Sequence, residues 1–202
     1  MARKTHSSPE QARNAILDAA EQLVVDVGPA GMRINAVAQA AGMAHPNIIH
    51  HFGSRDGLLE ALAERASNII TERVTRAINA AENAPETDRV TAVTRILASS
   101  FAGSEGKIAV WMQLSGAHSS VKQNIQQIVD ATHQLRESID GEVQYNNTNR
   151  LVLLMTLALI GEVVAGAALK QFLGFDETAE PDKTFSHWLA KLALKLSDEL
   201  LD

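Results

Sequence analysis

Between Leu151 and Leu169 nineteen consecutive residues carry a single charge, Glu162. A helix apolar almost all round must be covered on more than one side. Nineteen residues are also just enough to cross the hydrocarbon core of a bilayer. An acid near the middle of such a span is costly, however, and the segment that follows is amphipathic rather than membrane-like. The stretch therefore reads as the buried helix of a soluble protein, with no membrane partner expected.

The rest of the chain supports a helical setting. Only five prolines and one tyrosine occur among 202 residues, while strong helix formers abound. No stretch alternates apolar and polar residues with period two, so no sheet is expected. Ser8-Pro9-Glu10-Gln11 has an N-cap serine, proline at the first helical position and glutamine three residues on, the pattern of a capping box. Ile16, Ala20, Leu23 and Val27 then form one apolar stripe, and Gly28 stops the helix. Short helices follow at about 34–41, ended by Gly42, and at 45–52. Ser54 can cap a long fourth helix through Leu58, Leu62, Ile70 and Ala77, broken before Pro85. Further helices are expected at 88–102, 107–115, 119–140, 148–173 and 182–201, separated by breaks at 103–106, 115–118, 141–147 and 174–181. The expected fold is all-α, with about nine helices.

Composition narrows the function. The 46% hydrophobic content can fill a substantial core. The chain has no cysteine, which excludes disulfides, thiolate nucleophiles and thiolate metal sites and fits a reducing cytoplasm. The first residues lack the apolar run of a signal peptide, so the expected location is cytoplasmic. Ser119 and Ser120 follow His118, but there is no nucleophile elbow, zinc-binding histidine pair or phosphate loop. Neither catalysis nor a cofactor is expected. The net charge of −6 lies entirely beyond residue 59, because residues 1–59 hold five basic and five acidic side chains. A neutral N-terminal segment permits contact with DNA.

The informative window is Ala38 to Phe52, Ala-Gln-Ala-Ala-Gly-Met-Ala-His-Pro-Asn-Ile-Ile-His-His-Phe. Two short helices meeting steeply need a small residue at their crossing, a residue tolerant of positive φ in the turn, and an apolar residue to dock the second helix. Ala38, Gly42 and Ile48 meet those needs. Val37 and Ala41 complete the packing, and Phe52 locks the pair to the first and fourth helices.

Around this window, Arg13-Asn-Ala-Ile-Leu-Asp-Ala-Ala20, Gly28, Val37-Ala38, Ala41-Gly42-Met43, His51-Phe52-Gly-Ser-Arg-Asp56 and Leu58-Leu59 occur in order. Over residues 10–60 the chain resembles the N-terminal domain of the TetR family of bacterial repressors, the tetracycline-repressor-like proteins. It departs from that family at Ala44, where serine is usual and would cap the recognition helix. It also departs at Pro46, commonly glycine, and at Ile49, usually a tyrosine that touches the DNA backbone. The resemblance implies two domains. Residues 1–59 would form a three-helix, helix-turn-helix DNA-binding domain, and residues 60–202 a helical effector-binding and dimerisation domain.

The B-DNA major groove is about 12 Å wide and admits one helix, whose N-terminal residues meet base edges. On that geometry and the resemblance, His45, Pro46, Asn47 and His50 face the groove. Asn47 can donate to N7 and accept from N6 of adenine; the histidines can donate to guanine or phosphate; Pro46 can press on a thymine methyl. His51 and Arg55 are assigned to phosphate, with Arg33 and the Arg3-Lys4 arm adding charge contacts. Spacings of five and one do not place His45, His50 and His51 on one helical face, so no metal site is expected.

The last two helices look like those with which TetR-family proteins pair with a twin subunit. Gly161 and Ala165 permit close approach, and Phe185, Trp188, Leu189, Leu192, Leu196 and Leu200 add an apolar face. A twofold homodimer predicts a palindromic double-stranded operator. Phe101, Trp111, Met112 and Met155 are candidates to line a small-molecule pocket. Glu162 is the most interesting polar candidate, since a lone acid in an apolar helix is either paired or poised for a ligand. The implied protein is a repressor released from DNA by an effector, whose binding makes the fourth helix shift the recognition helices. The alternative is an all-helical interaction or scaffold protein without DNA binding, which would leave the ordered pattern from Arg13 to Leu59 unexplained.

Overall fold

The computed structural model describes residues 8–82, 84–101, 103–114, 121–175 and 184–196. Among these residues every regular element is helical. They are α1 (Pro9–Gly31), α2 (Ile34–Ala40), α3 (His45–Phe52), α4 (Arg55–Glu82), α5 (Arg89–Ser100), α6 (Gly103–Leu114), α7 (Val121–Asp140), α8 (Tyr145–Gly161), α9 (Ala167–Leu173) and α10 (Phe185–Ala193). A π turn, Glu162–Gly166, joins α8 to α9 in one rod from Tyr145 to Leu173. Counted so, the described residues form nine helices, as the periodicity predicts.

The chain divides into two compact units. The first comprises the described residues up to Ala66 and, from α6, the residues from Lys107 on. It therefore extends past residue 59. Its core sets Ile16, Leu17, Ala20 and Val24 of α1 against Val37, Ile48, Leu58 and Leu62, with Ile108 of α6 buried among them. The capping box of α1 is present in both directions, Gln11 N–H to Ser8 Oγ at 3.2 Å and Ser8 N–H to Gln11 Oε1 at 2.9 Å. The stripe of α1 is not quite the expected one. It runs through Leu17 and Val24, while Val27 is 55% exposed, because Gly28 leaves helical geometry immediately after it.

The second unit, Ser67–Gly106 with the described residues after Ser119, packs α10 on α5 and α8. Leu97, Leu151, Met155, Leu159 and Leu189 form its apolar cluster. Two helices begin earlier than expected. α6 starts at Gly103, inside the anticipated break, since Glu105 in its first turn pairs with Arg73 at 3.5 Å and an acid is favourable at a helix N-terminus. α8 starts at Tyr145 rather than Thr148, because side chains that usually make turns are bonded elsewhere. Asn147 accepts from Arg150 at 3.2 Å, and buried Thr148 lies 3.0 Å from both Arg136 Nη1 and His133 Nδ1. A buried hydroxyl requires such partners.

At the exposed end of the same hairpin, the Tyr145 hydroxyl donates to Asp130, and Gln126 donates to Asp130 at 3.0 Å. The Tyr145 hydrogen bond, then that of Gln126, hold the Asp130 carboxyl below the ordinary aspartate value, and the bond to Asp130 pushes the Tyr145 phenol up. A depressed carboxylate contributes stability above its unfolded pKa and loses it as pH falls through the folded value. Tyr145→Phe is expected to bring the Asp130 midpoint back toward ordinary, read by carboxyl NMR titration. An unmoved midpoint would remove the tyrosine bond as its cause.

Candidate nucleic-acid interface

Local rules build the α2–α3 pair. At the end of α2, Gly42 N–H donates to Gln39 O at 3.1 Å and Met43 N–H to Ala38 O at 2.9 Å, the paired bonds of a Schellman stop. Gly42 has φ +64°, a conformation that costs glycine little. Ala38 and Val37 are buried beneath the turn, and Ile48 is fully buried one turn into α3. Ala44 caps α3 without a side-chain bond, as its methyl dictates, and Pro46 sits in the first turn.

With Ile48 fixed inward, the opposite side of α3 is determined. His45, Pro46, Asn47, Ile49 and His50 are exposed. At about 100° per residue, Pro46, Asn47 and His50 fall within one arc of the helix. His51 and Phe52 are half-buried, with the two histidine rings edge-on at 5.5 Å. Arg33 is exposed at the start of α2. The outward side of α3 thus offers an amide, two imidazoles, a proline ring and the apolar Ile49. Ile49, at the position where the resemblance places a tyrosine that touches the DNA backbone, was not among the expected contacts and is exposed beside them.

Three arginines hold this unit. Arg13 of α1 lies over the Phe52 ring, 5.0 Å from its centroid. Arg65 of α4 grips α1 with both arms, bonding Asp18 at 2.6 Å and Glu21 at 2.5 Å. Arg55, expected to point at phosphate, turns back on the chain. Its Nε–H donates to Met32 O at 3.1 Å, one Nη donates to Pro29 O, and the other pairs with Asp56 at 3.2 Å. A residue the sequence did not single out, Gly57, makes the α3–α4 junction possible. A Cβ there would stand 2.2 Å from the Phe52 carbonyl oxygen, so only glycine permits that approach. Ser54 caps α4 as expected, accepting from Gly57 N–H at 3.0 Å.

The candidate pocket residues are not all brought together. Phe101 and Met155 join the apolar cluster of the second unit, whereas Trp111 packs on the core of the first. The Met112 side chain lies outside the described residues. Glu162 is paired: Lys170 donates to it across the π turn. Among the described residues no group of three or more carboxylates and histidines is placed to hold a metal ion.

Residues 16–62 match the family described as bacterial regulatory proteins, tetR family. No curated protein is detectably similar in sequence. Among solved structures, the chain is similar to a Mesorhizobium loti MAFF303099 protein described as a TetR-family transcriptional regulator (TM-score 0.67, 11% identity, covering 97% of this chain and 96% of that one). It is also similar to the multidrug-binding protein EbrR in complex with imidazole (0.61, 18%, 91% and 93%) and to the fatty acid degradation regulator FadR of Bacillus halodurans (0.61, 15%, 98% and 96%). Residues 16–62 thus carry the sequence pattern of the tetR family of bacterial regulatory proteins, and the chain as a whole has the fold seen in these solved TetR-family structures.

Proposed function

We propose that this protein is a homodimeric repressor that reads a palindromic operator with α3 and leaves it when a small molecule binds the second unit. The observation that carries the reading is the outward side of α3, where His45, Pro46, Asn47 and His50 are exposed together over a buried Ile48. These four residues enter the major groove, with Asn47 reading adenine and Pro46 pressing on a thymine methyl group. Arg33, His51 and the two N–H groups that Arg55 leaves unused in its three bonds meet phosphate.

The dimer reading rests on the rod from Tyr145 to Leu173. It was expected to be covered on more than one side, yet only 28% of its most apolar window is buried within the chain. By length and composition this helix passes the test for a membrane span. Its open side is a stripe of Leu153, Leu157, Gly161, Val164, Ala168 and Phe172, narrow at the glycine and alanine as close helix packing requires. A second copy of the chain covers it. Lipid is the less suitable cover, because Glu162 and Lys170 sit within the rod and charge at that depth is costly.

The effector is a small molecule held in the second unit near Phe101 and Met155. Structural neighbours described as a multidrug-binding protein in complex with imidazole and as a fatty acid degradation regulator support this class of ligand without choosing one. α4 belongs to both units, its residues dividing at Ala66, and carries the shift from ligand to α3. A coupling of about 1–3 kcal/mol suffices for such release.

Selection of duplexes from a random library by the whole protein, followed by a gel-shift assay, tests the reading. Enrichment of an inverted repeat is expected. No enrichment would favour the interaction-protein alternative. Asn47→Ala is expected to weaken the selected duplex by about 1–3 kcal/mol and relax preference at one base pair per half-site. Equal weakening on random DNA would refute direct readout.

A further inference from the structure

We infer that Arg55 is a positioning residue, a clasp that closes the base of the helix-turn-helix and sets the angle at which α3 is presented. The segment Arg33–Ser54 leaves the end of α1 and returns at the start of α4. Arg55 stands at its exit, and the two carbonyls it holds, Pro29 O and Met32 O, stand at its entrance. One planar guanidinium therefore ties the two ends of the segment together.

The carbonyls suit a cation. Pro29–Gly31 is a last helical turn beyond the break at Gly28, and Met32 is already extended at φ −66°, ψ 130°. Carbonyls at a helix end lack intrahelical donors and carry partial negative charge. Arg55 is half-buried, its side chain 38% exposed, so these bonds are partly shielded from water. Lysine, a point charge without a planar fork, cannot hold two carbonyls and a carboxylate in one plane. The DNA consequence rests on the proposed function, while the clasp itself does not.

The test uses the full chain free of DNA. Arg55→Lys keeps the charge; Arg55→Met removes it. Hydrogen–deuterium exchange is expected to rise about tenfold or more in peptides covering 33–54 for both variants, with α7 and α8 unchanged as internal reference. Wild-type exchange over 33–54 in Arg55→Lys would overturn the clasp. On duplexes selected by the wild-type protein, Arg55→Lys is expected to keep the salt slope yet lose more affinity for the selected duplex than for a random one. A lower salt slope in Arg55→Met, with exchange unaltered in either variant, would leave Arg55 a phosphate contact and refute the clasp. If the wild-type protein selects no duplex, the DNA reading fails, and the exchange result still decides the clasp.

Discussion

Replacing Leu157 by arginine is expected to turn a dimer into a monomer without unfolding the chain. Leu157 is 58% exposed within one copy, so a charge there meets water in the monomer and costs the fold little. In the proposed dimer it sits second in the stripe from Leu153 to Phe172, facing the same stripe of the second copy. Two guanidinium groups would then be buried without partners, a cost no rearrangement of leucines offsets. Sedimentation of the wild-type protein at micromolar concentration is expected to give a dimer, and of Leu157→Arg a monomer with an unchanged helical circular dichroism spectrum. Each monomer would hold one half-site, so affinity for the selected inverted repeat should fall roughly 10²–10⁴-fold through lost avidity. A variant that stays dimeric would place the interface elsewhere; one that partitions into membranes with the wild type would favour lipid as the cover.

That stripe also marks where sequence reading stops. The α2–α3 unit is legible because each of its choices is local: a small residue at Ala38, a left-handed turn at Gly42, an inward Ile48 four residues into the helix. The long rod is different. In a regular α-helix the nineteen steps from Leu153 to Phe172 would leave Phe172 about 100° round the axis from Leu153, at the edge of the face. The π turn at Glu162–Gly166 takes up one extra residue, which keeps the stripe on one side. Nothing in the sequence pattern announces a π turn. The Glu162–Lys170 pair that spans it, eight residues apart, matches no helical neighbour rule. Arg55 was legible as a cation near the interface, while its use on two carbonyls depends on the path of Pro29–Met32 and is visible only in three dimensions. Trp111 and Phe101 look alike as aromatic residues of the middle helices, yet they pack in different units because α6 is itself divided between them.

Ile48→Ala is expected to abolish DNA binding by a route distinct from Asn47→Ala. Ile48 is the fully buried residue of α3, packed in the cluster that joins α1, α2 and the start of α4. Truncating it removes apolar contact and leaves a cavity, at about 2–5 kcal/mol. The eight-residue α3 has no side-chain cap and one fully buried anchor, and a helix this short does not persist without tertiary packing. The loss should therefore appear first as raised hydrogen exchange in α3, with a lower unfolding temperature of the first unit. Ile48→Val, expected to cost about 0.5–1.5 kcal/mol, should retain operator binding. Asn47→Ala touches no buried contact and should leave the unfolding temperature where it was. If Ile48→Ala melted like the wild type and still bound the selected duplex, the docking of α3 through this side chain would be wrong, and with it the assignment of the outward face that every proposed base contact uses.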